Sequence, residues 1–246
     1  MPELRLGEYA EKGNYHVVLD HDWPYTPVYL AKMAYVRRFL NDIDPATRII
    51  DLGCGEGILV QEYKERGMNI IGLDLNYESA YVKRGDMLNT GYPDGSFDIA
   101  LCLDVLEHLP FESQGKAIAE IARILRPDGI FLMSVPNLAH LVSRLSFLVT
   151  GNLIRTSTID RHPGDRPIIE FMKLLNPHFH TRKRRGIFPT FPLIALLTRY
   201  VPAKTLFSVT ILPGITVVWN GQPQVMEHLM TNISYTQPIL GEQTTV

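Results

Sequence analysis

Arg48-Ile49-Ile50-Asp51-Leu52-Gly53-Cys54-Gly55-Glu56-Gly57 joins a short apolar run, a carboxylate and three alternate glycines ahead of a helical pattern. Ile49, Ile50 and Leu52 suit a strand buried in a parallel sheet. Glycine at every second position lets the backbone turn sharply and approach a ligand that any Cβ would push away. The stretch predicts a strand, a ligand-facing loop and a helix, with a nucleoside-type ligand as the leading hypothesis.

Upstream, Thr26 offers an N-cap and Pro27 a first helical residue, followed by Tyr29, Leu30, Met33, Val36, Arg37 and Leu40 at helical spacing. A helix is predicted over about 27–41. Downstream, Ile58, Leu59 and Tyr63 continue as a helix that stops at Gly67, and 68–73 reads as a second strand ending at Asp74. Between Asp74 and Asp86 only eleven residues intervene. A parallel crossover takes about a dozen or more, so the next helix must be reduced and a third strand, near 80–83, weak. Then come a turn at Pro93-Asp94-Gly95-Ser96, a buried strand at 97–103, a helix at 114–125 and a turn at Pro127-Asp128-Gly129. A strand at 130–135, an amphipathic helix at 138–149, a short helix at 168–175, a strand at 178–188, an apolar insert at 189–206 and a β-rich stretch at 207–219 complete the pattern. The alternation argues for an open, mostly parallel α/β sheet with helices on both faces. Residues 1–45 read as an N-terminal arm and helix, 46–220 as the main domain and 221–246 as a polar tail.

With 246 residues, 46% apolar and 20% charged, the chain has the size and composition of one decorated α/β domain. A formal charge of −2 gives no general reason to expect a nucleic-acid partner. Cys54 and Cys102 are too few for a disulfide framework and suit a reducing compartment. The first residues lack a signal-peptide pattern, and no window reaches the roughly 18 to 20 apolar residues of a spanning helix. A cytoplasmic location is expected. Tyr15, His16, Trp23 and Tyr25 would either line a substrate mouth or pack the arm onto the domain.

A glycine loop at the carboxyl end of the first strand sits where open α/β sheets bind ligands, and an acid ending the second strand can accept both hydroxyls of a ribose. The third glycine, Gly57, is followed by Ile58, which departs from Gly-x-Gly-x-x-Gly and disfavours a dinucleotide oxidoreductase.

Asp51 to Gly57, Asp74, Gly85-Asp86-Met87, the run from Asp94 to His108, and Leu125-Arg126-Pro127-Asp128-Gly129 together resemble the class I S-adenosylmethionine-dependent methyltransferases, in the small-molecule branch that includes ubiquinone biosynthesis. The resemblance is close over 48–137. It implies a Rossmann-like fold: a mostly parallel seven-stranded sheet with an antiparallel last strand, an N-terminal helical arm and a C-terminal apolar insert. It implies S-adenosyl-L-methionine as cofactor. Gly53, Cys54, Gly55 and Gly57 would pass the cofactor's amino-acid end, with Asp51 supporting the loop. Asp74 would take the ribose hydroxyls, Leu75 would pack on the adenine, and Asp86 with Met87 would contact its edge and face. Leu103 and Asp104 would lie near the transferable methyl.

Methyl transfer rests largely on positioning, with a base needed for a hydroxyl acceptor. His108, in Asp104-Val105-Leu106-Glu107-His108, is the candidate base; alternatively it packs the following helix. Asp104 and His162 complete the candidate catalytic set. No metal is assigned, although Asp104, Glu107 and His108, with His162 as a distant fourth ligand, are spaced similarly to the Glu-x-x-Glu-His metal site of some methyltransferases acting on catechol-like quinone precursors or RNA ends. Arg182-Lys183-Arg184-Arg185 abuts an apolar stretch, so 182–194 would either touch an anionic membrane surface peripherally or form a solvated strand end with a lid. The expected activity is O-methylation of a small-molecule, glycan, lipid-linked or quinone-like acceptor. The competing reading is a non-catalytic regulatory protein that keeps the cofactor pocket.

Overall fold

The computed structural model describes residues 26–139, 141–153, 158–186 and 214–219. Their element order is α1 (Thr26–Asn41), β1 (Ile49–Leu52), α2 (Ile58–Glu65), β2 (Ile70–Asp74), β3 (Val82–Arg84), β4 (Phe97–Leu103), α3 (Phe111–Ile124), β5 (Leu125–Val135), α4 (Leu141–Thr150), α5 (Ile168–Leu175), β6 (His180–Gly186) and β7 (Gly214–Trp219). A single 3₁₀ turn, Leu106–His108, lies between β4 and α3. The arm with Tyr15, His16, Trp23 and Tyr25, the insert at 189–206 and the tail at 221–246 lie outside the described residues.

The sheet order is β3-β2-β1-β4-β5-β7-β6. β1 pairs in parallel with β2 and β4, while β7 runs antiparallel between β5 and β6. Side chains on a strand point to alternate faces, and here the alternation sorts the core into two layers. Ile49, Ile99, Leu101, Ile130 and Leu132 face Met33, Val36 and Leu40 of α1 and Leu59, Val60 and Tyr63 of α2. Ile50, Ala100, Cys102, Phe131 and Met133 face Ala117, Ile118 and Ile121 of α3 and Phe171, Met172 and Leu175 of α5. Every residue of β1 is buried, as befits a strand with a parallel neighbour on each side. Arg48 clamps its start: the guanidinium donates to Asp98 from Nε at 3.1 Å and Nη2 at 2.9 Å, and its backbone N–H donates to the same carboxylate at 2.8 Å.

Three local expectations change. The reduced helix between β2 and β3 is absent altogether. Asp74 Oδ1 accepts from the backbone N–H of Asn76 and Tyr77, and Ser79 Oγ from those of Tyr81 and Val82, so side chains close two turns where a helix would otherwise satisfy the backbone. Second, Pro127-Asp128-Gly129 does not separate helix from strand. Leu125 already pairs with Phe97, and pairing resumes at Ile130 opposite Ile99, leaving residues 126–129 as a bulge within β5. Third, among the described side chains of α4 the apolar ones are not the buried ones: Leu148 and Val149 are more than four-fifths exposed, and Ser143 is buried instead.

The basic run lies on the edge strand β6. Arg184 is exposed, its three neighbours are partly buried, and Arg185 sits 5.4 Å from the ring of Tyr35. None of the described helices is long and apolar enough to cross a membrane.

One polar clasp fastens the β3–β4 connection to α3. Glu120 accepts from Thr90 N (2.8 Å) and Oγ1 (2.7 Å) and from Arg123 Nε (2.7 Å). These bonds, led by Arg123's and outweighing the opposing effect of burial, hold its carboxyl down at about 2. A folded value below the unfolded one of about 4.3 means the stabilisation is complete above the unfolded pKa and lost as pH falls through the folded one. Glu120→Gln is expected to cost about 1–2 kcal/mol at pH 7, allowing for solvent around Arg123, and the deficit in melting temperature should shrink at pH 3. Thermal melts of both proteins at the two pH values check this; a constant deficit would contradict it.

Candidate functional site

Strand order reverses between β1 and β4, so the chain leaves their carboxyl ends in opposite directions and a crevice opens between. The loop after β1 carries φ of 69° at Gly53, 57° at Gly55 and 77° at Gly57, a region that L side chains avoid. A Cβ at Gly53 would collide with Val105 and one at Gly57 with Val82, whereas one at Gly55 would meet nothing within 4 Å. Gly55 is therefore where the loop opens to a ligand. Its N–H donates to Asp74 Oδ2 at 2.8 Å, so the acid ending β2 braces the loop. The sequence reading assigned that support to Asp51; the structure gives it to Asp74. Close by are buried oxygens with no protein partner, Glu56 Oε2, Asn76 Oδ1 and Tyr77 Oη, and the partly exposed side chain of Leu75. Cys54 is half-buried, and burial pushes its thiol far up, which makes it a neutral group lining the loop.

Asp86 and Met87 are placed less openly. Asp86 Oδ1 accepts from Leu88 N at 2.8 Å, closing its own turn, and Met87 is packed into the α3-side core with Leu73.

At the end of β4, Leu103 packs against the α1-side core. Asp104 has φ 56°, the one positive value on a non-glycine among the described residues. Its geometry is held from three sides: its N–H donates to Ser134 O at 3.0 Å, Ser134 Oγ donates to Oδ1, and the Lys32 ammonium pairs with Oδ2. Burial works to raise the Asp104 carboxyl, but Lys32's charge and hydrogen bond, with Ser134's, bring it below the usual range. An anion so engaged serves as an anchor rather than as a proton acceptor. Asp51, 4% exposed, moves the other way: burial, then the charge of Asp74, push it up to about 7 despite Lys32.

The 3₁₀ turn presents Glu107 and His108 beside His162. The two imidazole rings meet edge to face at 4.6 Å. His108 Nδ1–H donates to the carbonyl of Arg161 at 2.9 Å, which leaves the ring's lone pair on Nε2. Burial, then His162, hold His108 below its ordinary value, so it is neutral at pH 7. His162 Nδ1 stands 3.5 Å from Asp165 Oδ1. Gln114, fully buried, clasps this loop: its Nε2 donates to Leu106 O at 2.9 Å and to Gly164 O at 2.8 Å, while Gly164 N–H donates to Glu107 O at 2.9 Å. A Cβ at Gly164 would strike Gln114 and the Leu109 carbonyl, so the approach requires glycine.

The structure thus brings His108 and His162 together and sets Asp104 apart on Lys32. Lys32, Ser134, Gln114 and Asp165 were missed. Lys32 had a signal, a cation inside the Tyr29, Met33, Val36 stripe of α1; Ser134 and Gln114 had none, being ordinary polar residues in a strand and a helix.

Residues 50–133, which carry the glycine loop, Asp74, Asp104, Glu107 and His108, match the family model described as a methyltransferase domain. Over these residues the chain carries a methyltransferase domain. The chain is similar to a ubiquinone biosynthesis O-methyltransferase of Colwellia psychrerythraea, 27% identical over 134 residues, covering 48% of this chain and 54% of that one. It spans about half the length, or less, of the curated relatives it matches. Among solved structures, a SAM-dependent methyltransferase from Archaeoglobus fulgidus superposes at a TM-score of 0.53 with 19% identity, over 78% of this chain and 94% of that one. The 1,6-didemethyltoxoflavin-N1-methyltransferase of Burkholderia thailandensis does so at 0.52 with 17% identity, over 85% and 84%. Both share the fold of the methyltransferase domain.

The domain match, with relatives named as S-adenosylmethionine-dependent methyltransferases, indicates S-adenosyl-L-methionine as the cofactor, and the residues present fit it. The loop is open at Gly55, a carboxylate waits below it, and unpartnered buried oxygens flank that carboxylate. Asp74 would hold the ribose, and the Gly53–Gly57 loop the amino-acid end.

Asp51 yields a pH test of this electrostatic layout. Its folded value lies above the unfolded one, so the stability it confers is full below about pH 4 and lost as pH rises through 7. Asp51→Asn is expected to melt higher relative to the parent protein at pH 8 than at pH 5, both without cofactor. Equal differences at the two pH values would refute the assignment.

Proposed function

We propose that the chain transfers a methyl group from S-adenosylmethionine to a hydroxyl oxygen of a small-molecule acceptor. The observation that carries this is the pairing of an open glycine loop braced by Asp74 with a neutral histidine, His108, one turn beyond the end of β4. When bound, the sulfonium supplies an electrophilic methyl carbon and a neutral thioether leaving group. The protein's task is to hold an acceptor oxygen in line with that carbon and to remove its proton. His108 suits the second part: its Nδ1–H is committed to the Arg161 carbonyl, so Nε2 takes the hydroxyl proton as the new C–O bond forms and the C–S bond breaks. Asp104, fixed by Lys32 and Ser134, positions the crevice wall instead.

A quinone-like phenol is the acceptor suggested by the Colwellia relative's name; a sugar, glycan or lipid-linked hydroxyl shares the same chemistry. A cofactor-binding regulator without turnover is the reading the experiment must separate.

Calorimetric titration with S-adenosylhomocysteine is expected to show one site, and Asp74→Ala should weaken it about 10- to 100-fold by removing charge-assisted bonds to the ribose. His108→Ala should leave that affinity unchanged and lower kcat on a hydroxylated acceptor about 10²- to 10⁴-fold. Absence of homocysteine-adduct binding would sink the donor assignment, and binding without methylation of any hydroxylated acceptor in a broad panel would favour the regulator.

A further inference from the structure

Arg37, Arg48, Arg66 and Arg123 each pair with a carboxylate. The corner where α1 meets the edge strand β6 is different. There the Arg185 guanidinium lies 5.4 Å from the centre of the Tyr35 ring. Burial raises the Tyr35 phenol, and Arg185 and Arg38 both pull against it. Lys183 lies two residues before Arg185 on the same face of β6, and burial, then the Arg185 charge, hold it below the ordinary ammonium value. Among the described residues, no carboxylate pairs with Arg38 or Lys183 or acts on Tyr35.

Strand register ties this corner to the crevice. Arg185 stands opposite Ile215, which stands opposite Ser134, and directly opposed residues of an antiparallel pair share a face. Ser134 Oγ donates to Asp104, which Lys32 of α1 also holds, so Ser134 and Arg185 lie at one level on the α1 side of the sheet. Two strand spacings put them about 10 Å apart. The cations therefore flank the crevice from the sheet edge.

Like charges gathered in a half-buried corner repel one another and lose solvation, and a bound anion offsets both costs. Two guanidiniums and an ammonium match the charge and the several acceptor oxygens of a phosphate ester better than those of a single carboxylate. We infer that Arg38, Lys183 and Arg185, set around Tyr35, hold a phosphate group of the acceptor, on the order of 10 Å from the hydroxyl that is methylated. The acceptor class then narrows to soluble hydroxylated phosphate esters, of which a sugar phosphate is one. That role rests on the methyl-transfer reading; the anion site itself does not.

The test titrates the full chain with inorganic phosphate by calorimetry, at an ionic strength fixed with chloride. One site is expected, and Lys183→Gln combined with Arg185→Gln should weaken it at least about tenfold while S-adenosylhomocysteine affinity, which reports folding, is retained. Arg38→Gln, at an exposed position, repeats the test should the double variant lose the homocysteine adduct. On paired hydroxylated acceptors with and without a phosphate ester, the variant should raise KM for the phosphorylated member at least about tenfold with little change in kcat. No phosphate binding by the parent chain, or equal binding by a variant that still binds the adduct, would overturn the inference. So would sedimentation of the parent with phosphatidylglycerol vesicles that inorganic phosphate does not displace, since the cations would then serve a membrane surface. Phosphate binding by a parent chain that fails to bind the adduct would keep the anion site and remove the donor assignment, so the two failures are told apart.

Discussion

The reversal of strand order between β1 and β4 is the constraint on which the rest of the molecule depends. β1 passes its chain to α2 and β2 on one side, and β4 passes its chain to α3 and β5 on the other. The two connections diverge from the carboxyl ends of β1 and β4, so the sheet itself creates a crevice. Two left-handed turns then line it, the glycine loop after β1 and Asp104 after β4.

Charge within that crevice is organised around one cation. Lys32, 8% exposed on α1, pairs with Asp104 and also draws down Asp51, whose burial and neighbour Asp74 push the other way. Lys32 stands among the acids Asp104, Asp51 and Asp74, a layout suited to a cationic ligand such as a sulfonium. The α1 helix is thus part of the site as well as a cover for the core. Beyond the end of β4 the His108 ring meets that of His162 beside buried Glu107.

Sequence pattern was most reliable where burial on both faces leaves only one solution. Ile49 to Leu52, 97–103 and 168–175 read correctly because apolar runs of that length bounded by glycine, proline or acids admit few alternatives. It failed where side chains replace backbone periodicity: the turns capped by Asp74 and Ser79 dispense with a helix, and the pull of Leu125 into the core moves a strand start past a proline-glycine turn. In α4 an apolar pattern was read as a buried stripe, yet Leu148 and Val149 face outward, since periodicity reports which residues share a face and not whether a partner covers it.

The donor half of the site was written in local order. Gly53, Gly55, Gly57 and Asp74 lie within one βαβ unit, so spacing along the chain dictates spacing in the fold, and the sequence by itself determined both the sheet class and the cofactor. The other half depended on approach between distant segments. Lys32 reaches Asp104 from another layer, and His162 meets His108 only because Gly164 admits Gln114 at close range. Such contacts arise from packing between elements, which no linear spacing encodes, and only the tertiary structure decided that Asp104 is an anchored anion and that Glu107, His108 and His162 form a single group.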